Sequence, residues 1–225
     1  MATFPPPAPG ESDSIALALV NTLVVGARGA VDFVADAAAW REWATEHALP
    51  VGDSDPAPGP RITDLRAAVR AALEAGPSRL PQEAVRRIND AAARVPVVPA
   101  LVVAGVADPA LVDGHGHRTR HGDPHAPAIA RLVPHRAGAP GARGRGADGR
   151  GADARGARAR VDDAAAALAR DAIALLASPA ALRVRECAAP DCSRLFRQDH
   201  ARRIWCSTAC GDRVRVARHA ARSRG

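Results

Sequence analysis

Apolar residues recur at three- and four-residue intervals through most of the first hundred positions. Ile15, Leu19 and Leu23 predict a helix over about 13–25. Others are expected at 36–48, at 62–75 (Leu65, Val69, Leu73) and at 81–94 (Val85, Ile88, Ala92), where Pro81 suits a first turn. The apolar run Val95 to Val106 contains Pro96 and Pro99, so it predicts an edge strand or two short extended pieces. A long helix is expected over Val161 to Ala177, carrying Val161, Leu168, Ile173, Leu175 and Leu176 and ending before Pro179; Asp162 and Asp163 would sit at its N-terminal dipole. The last predicted helix runs from about Thr208 toward Arg222, capped by Ser207 and weakened only by Gly211.

The gaps in this pattern set the expected organisation. Residues 1–11 are Pro-rich and read as disordered. Residues 137–160 hold mainly Gly, Ala, Arg and Asp without a large apolar side chain, which predicts a flexible linker or insertion. A front domain is expected over 12–136, completed by the helix at 161–180, and a compact module over 183–225. The fold class is therefore α+β and predominantly helical: a helical front domain with a small β element, then a small four-cysteine module. The apolar stretch 15–25 is too short to span a membrane.

All four cysteines lie in that last module as Cys187-x4-Cys192-x13-Cys206-x3-Cys210. Two short cysteine-bounded loops separated by a dozen or so residues can supply four thiolates to one tetrahedral zinc ion. The disulfide alternative needs an oxidising compartment, and Met1 to Gly10 offers neither a basic nor an apolar export region, so a cytoplasmic protein with one structural zinc is expected. Leu195, Phe196 and Trp205 are the expected apolar cover of the module, which is too small to fold without its metal.

Charge distribution adds a partner. Residues 183–225 carry eleven arginines against four acids, a net +7 that equals the charge of the whole chain, so the rest is neutral. Such one-ended asymmetry points to a polyanion, most often nucleic acid. Because the chain has no Lys, the choice of Arg reflects G+C-rich coding, and only the placement of the arginines is informative. At 100° per residue, Cys210, Val214, Ala217 and Ala221 share one face of the last helix while Arg215, Arg218 and Arg222 form a separate stripe. With Arg202 and Arg203 before Trp205, and Arg213 just after the fourth cysteine, these six arginines are the expected nucleic-acid contacts.

The segments CAAPDCSRLF at 187–196 and RRIWCSTACGDR at 202–213 resemble the CGNR zinc finger. Residues 15–49 and 63–73 are similar to the ABATE domain that accompanies that finger. The resemblance implies a stress-responsive transcription regulator that binds double-stranded DNA through the finger and senses a small molecule or self-associates through the front domain. Asp212 stands where the family carries Asn, Ile204 where Arg is common, and the span before Cys206 is about two residues short.

Two other features compete for a role. His115, His117, His121 and His125, with Asp113 and Asp123, have chelating spacing but lie among Gly114, Gly116, Gly122 and Pro124, a loop without rigid support. Asn21 reads as a buried polar residue of the first helix or part of a ligand pocket. No nucleophile elbow, phosphate loop or dinucleotide fingerprint occurs, so no enzymatic activity is expected. The leading expectation is a zinc-dependent DNA-binding regulator; an RNA-binding zinc module and a zinc-stabilised protein adaptor are the alternatives.

Overall fold

A computed structural model describes residues 4–26, 29–103, 128–134 and 149–223. The chain divides into two compact units, one comprising Met1–Arg94 with Gly144–Gly225 and the other Val95–Arg143. In the second unit, β3 (Val97–Val103) pairs antiparallel with β4 (Ala128–Pro134), Pro99 facing Leu132. The histidine-rich loop at 115–125 lies outside the described residues.

After a single 3-10 turn at Glu11–Asp13, the first α-helix of the first unit is the short α1 (Ile15–Val20), whose N-cap Ser14 accepts from the Leu17 amide and donates to Asp171. The expected helix over 13–25 therefore stops early. Thr22 Oγ1 returns a hydrogen bond to the Leu19 carbonyl at 2.7 Å, and the β-branched residues beyond it enter β1 (Leu23–Gly26), paired antiparallel with β2 (Gly29–Asp32). Asp36 caps α2 (Ala37–Glu46), and Pro60 opens α3 (Pro60–Ala75), which is followed by α4 (Gln82–Ala93). Here Pro81 occupies the N-cap position.

Helix α5 (Gly149–Leu176) overturns part of the linker expectation, because positions 149–160 are helical. That stretch lacks core residues but is rich in Ala and Arg, both strong helix formers, and propensity decides where burial does not. Asp162 and Asp163 consequently lie within the helix, away from its N-terminus, and Asp162 pairs with Arg61 of α3 at 2.7 Å. The alanines of α5 (164, 165, 169, 172) and Leu168 are buried against α1, α3 and α4 in one core with Trp40, Trp43, Ile62, Val69 and Ile88. Small side chains on α5 let these helices approach closely.

Residues 4–11, expected to be disordered, are packed. Phe4 packs against Phe33 with ring centres 5.5 Å apart and the rings tilted by 31°, Ala8 is buried among the cysteines, and the Pro9 carbonyl accepts the Arg197 amide at 2.7 Å. A proline-rich segment has few amides to satisfy and can lie across a surface as a strap. Gly10 makes the crossing possible: its φ is +96°, and a Cβ there would stand 2.8 Å from Arg197 Cβ. Among the described residues, no helix is long and apolar enough to cross a membrane.

Candidate metal centre and nucleic-acid face

The C-terminal part of the first unit is a hairpin of β5 (Val184–Glu186) and β6 (Leu195–Arg197), followed by α6 (Thr208–Arg222). Strand alternation gives the hairpin two jobs. Leu195 is buried in the helical core, whereas Phe196, fully buried at 0% exposure, belongs to a second cluster with Ala8, Ala189 and the four cysteines. Two adjacent residues thus join the front-domain core to the cysteine site.

Cys187 and Cys192 bracket the hairpin loop. The Cys187 amide donates to the Arg194 carbonyl at 2.9 Å and the Cys192 amide to the Ala189 carbonyl at 3.1 Å, closing a tight knuckle. Ser207 accepts from the Cys210 amide at 3.2 Å, placing Cys210 in the first turn of α6 as the N-cap signal predicted. All four sulfurs lie within 4.8 Å of one another and are buried. Sulfur separations of 3.7 Å (Cys192 to Cys206) and 3.6 Å (Cys206 to Cys210) match the edge of about 3.8 Å that four thiolates make around zinc at about 2.3 Å. The donor set and its geometry fit zinc.

The four thiols interact strongly with one another. Hydrogen bonding with Cys187, reinforced by burial, pushes Cys192 up to about 11. Cys187 and Cys192 together push Cys206 well above the ordinary thiol range, while Cys187, accepting from Cys192 and Cys206, is pushed far below it.

The six predicted arginines behave differently from one another. Arg202, Arg218 and Arg222 are exposed and form no ion pair among the described residues. Arg203 is bound to Asp199 at 2.7 Å. Arg213 donates to Cys210 Sγ at 3.2 Å, so its guanidinium attends the metal ligands. Arg215 pairs with Asp212 and lies over Trp205, 5.8 Å from the ring centre. The expected apolar face of α6 is buried only at its start: Cys210 is covered and Val214 half-buried, but Ala217 and Ala221 are exposed beside the Ala188–Asp191 loop.

Sequence reasoning missed the joint between hairpin and front domain. Arg194, nearly fully buried, donates to Glu11 and to the Pro6 carbonyl. Ser193 receives Arg70 on its carbonyl at 2.9 Å, and its hydroxyl accepts the Val25 amide at 2.7 Å. Asn21 holds Leu195 from both sides of the peptide. The one available signal was Asn21 itself, a polar residue in an otherwise apolar run.

A family model described as "Putative stress-induced transcription regulator", ABATE, matches residues 13–133. The CGNR zinc finger model matches residues 183–223. No curated protein matches the chain. With the clustered cysteines, the finger match points to zinc binding.

Proposed function

The chain belongs to the ABATE family and ends in a CGNR zinc finger, and from that premise we propose that it is a zinc-dependent transcription regulator that binds double-stranded DNA through α6 and the loop before it. The observation that carries this reading is the placement of Arg202, Arg218 and Arg222, exposed and without ion-pair partners among the described residues, on a module that holds the chain's whole net charge. Guanidinium groups on one helix suit a row of phosphates. One zinc ion, held by Cys187, Cys192, Cys206 and Cys210, would neutralise thiolate charge and fix the start of α6 against the knuckle. Arg213 would balance the remaining negative charge of the sulfur cluster.

The front domain we assign to sensing. Helices α1 and α3 grip β5 and β6 directly, so a ligand or self-association that shifts those helices would also bias the finger. A cavity of about 500 Å³ lies at this joint, lined by Leu73 and Glu74 near the end of α3, Arg79 of the loop that follows, Leu182 just before the finger, and Arg185 and Glu186 of β5. It supports a small-molecule effector.

The reading is tested by competition among duplex DNA, single-stranded DNA and structured RNA for the full-length, zinc-loaded protein. Preferential retention on duplex DNA, lost on metal removal, is the expected result. Preference for RNA would favour the RNA-binding alternative, and no retention on any nucleic acid would favour a protein adaptor.

A further inference from the structure

Among the six arginines of the proposed DNA face, Arg215 is the one whose head group is engaged twice. Its Nη2 is ion-paired with Asp212, one turn earlier on α6. The guanidinium also sits over the Trp205 ring, with its carbon 5.8 Å from the ring centre. Gly211 permits this arrangement. A Cβ at that position would stand 2.8 Å from Trp205 Cε3 and 3.3 Å from Arg215 Nη1, so the bare backbone lets ring and guanidinium settle against the helix. Arg215 is thereby drawn back toward the start of α6. Arg218 and Arg222, farther along the helix, remain open.

Resting on the DNA-binding reading, we infer that Asp212 is an affinity-setting residue: its carboxylate occupies the Arg215 guanidinium in place of a backbone phosphate. Carboxylate and phosphate present similar acceptor oxygens to the guanidinium fork, so the two compete for it. The pair itself is weak, since Arg215 and Asp212 side chains are 61% and 63% exposed. Its larger effect comes after displacement, when an uncompensated carboxylate remains beside the incoming phosphate. That repulsion is screened by salt over about 10 Å at 0.1 M. Duplex binding therefore gains little from Arg215, and removing the charge at 212 returns one phosphate contact to the face.

The test compares wild type, Asp212→Asn, Arg215→Ala and the double variant, each zinc-loaded and full-length, binding one duplex over a range of salt concentrations. Zinc content and amide-exchange protection at Cys187 and Cys210 establish that the finger is intact in each. Glu186→Gln, which removes an exposed charge on the hairpin, controls for net charge. Asp212→Asn should steepen the slope of log K against log salt by about 0.9, an advantage of about eightfold at 0.1 M salt that fades toward 1 M. In the Arg215→Ala background the same substitution should give less than half of that gain. No gain from Asp212→Asn overturns the inference while leaving DNA binding standing. So does an equal gain in the Arg215→Ala background or from Glu186→Gln, since either would make the effect a general field. If none of the proteins binds nucleic acid, the inference and the reading beneath it both fall.

Discussion

Asn21 completes the backbone hydrogen bonding of Leu195: its Nδ2 donates to the Leu195 carbonyl at 2.7 Å, and the Leu195 amide donates to its Oδ1 at 2.8 Å. A single carboxamide, 4% exposed, stands where a neighbouring strand would otherwise be. Because it sits at the C-terminus of α1, it ties the first helix of the front domain to the strand that follows the zinc knuckle. Arg194, flanking Leu195, carries the same connection outward to Glu11 and the N-terminal strap. The finger is thus built into the first unit.

Replacing Asn21 by Ala leaves the amide and carbonyl of Leu195 buried without partners, each costing about 1–3 kcal/mol. The expected result is a large drop in the denaturation midpoint accompanied by faster amide exchange at Cys187 and Leu195. Equal loss of protection confined to α1 would show that the finger folds independently.

Metal removal should be felt beyond residues 183–225. Arg194 and Ser193 hold the strap and β1 through the knuckle, so chelation should raise amide exchange at Val25, outside the finger, as well as at Arg197 and in α6. Zinc uptake should also strengthen as pH rises, because Cys192, pushed up to about 11, and Cys206, pushed higher still, must both lose protons to bind. Calorimetry in buffers of differing ionisation enthalpy, from about pH 6 to about pH 8, measures that release. An affinity independent of pH would contradict the four-thiolate site.

Periodicity located α2, α3 and α4 because each buries one stripe of its surface, the Ser207 cap located the start of α6, and cysteine spacing located the metal centre because ligand geometry is local. What escaped the sequence reading was context. The run Ile15 to Val25 is apolar under either a helical or a strand period, so the switch after Val20 depends on capping by Asn21 and Thr22 and on the pairing of β1 with β2. The stretch 149–160 has no large apolar side chain to signal a core, yet its alanines and arginines favour helix. Polar residues of the joint, Glu11, Arg70 and Arg194, acquire meaning only when sequence separations above a hundred residues close in space. Charge asymmetry found the arginine-rich face but could not distinguish free guanidiniums from Arg203, Arg213 and Arg215, whose partners are in place.

Gly211→Ala weighs two opposing effects. Alanine raises helix propensity by about 1 kcal/mol, but its Cβ would meet Trp205 at 2.8 Å, and overpacking typically costs about 1–3 kcal/mol. Displaced Trp205 should shift its emission and the variant should hold zinc less tightly than wild type. A gain in stability with unchanged emission would contradict the packing described.

Asp55, buried in the loop before α3, accepts from Arg160 of α5 and from the Gly52 amide. The hydrogen bond from Arg160 outweighs burial and holds the Asp55 carboxyl below the ordinary aspartate value of 3.8. A depressed folded value means that the stabilisation is present above 3.8 and lost as pH falls through the lower folded value. Asp55→Asn should therefore cost about 1.5–3 kcal/mol near neutrality and converge with wild type in acid. Denaturation at about pH 7, 5 and 3 checks this; a difference that persists undiminished at the lowest pH would refute it.

The central claim, that the open arginines of α6 meet duplex phosphates, is tested most directly by the salt dependence of DNA binding for wild type and an Arg218→Ala, Arg222→Ala double variant, both carrying zinc. Two lost phosphate contacts should reduce the slope of log K against log salt by about 1.8 and weaken binding to all duplex sequences alike. An unchanged slope and affinity in the double variant would contradict the account and place the binding surface elsewhere.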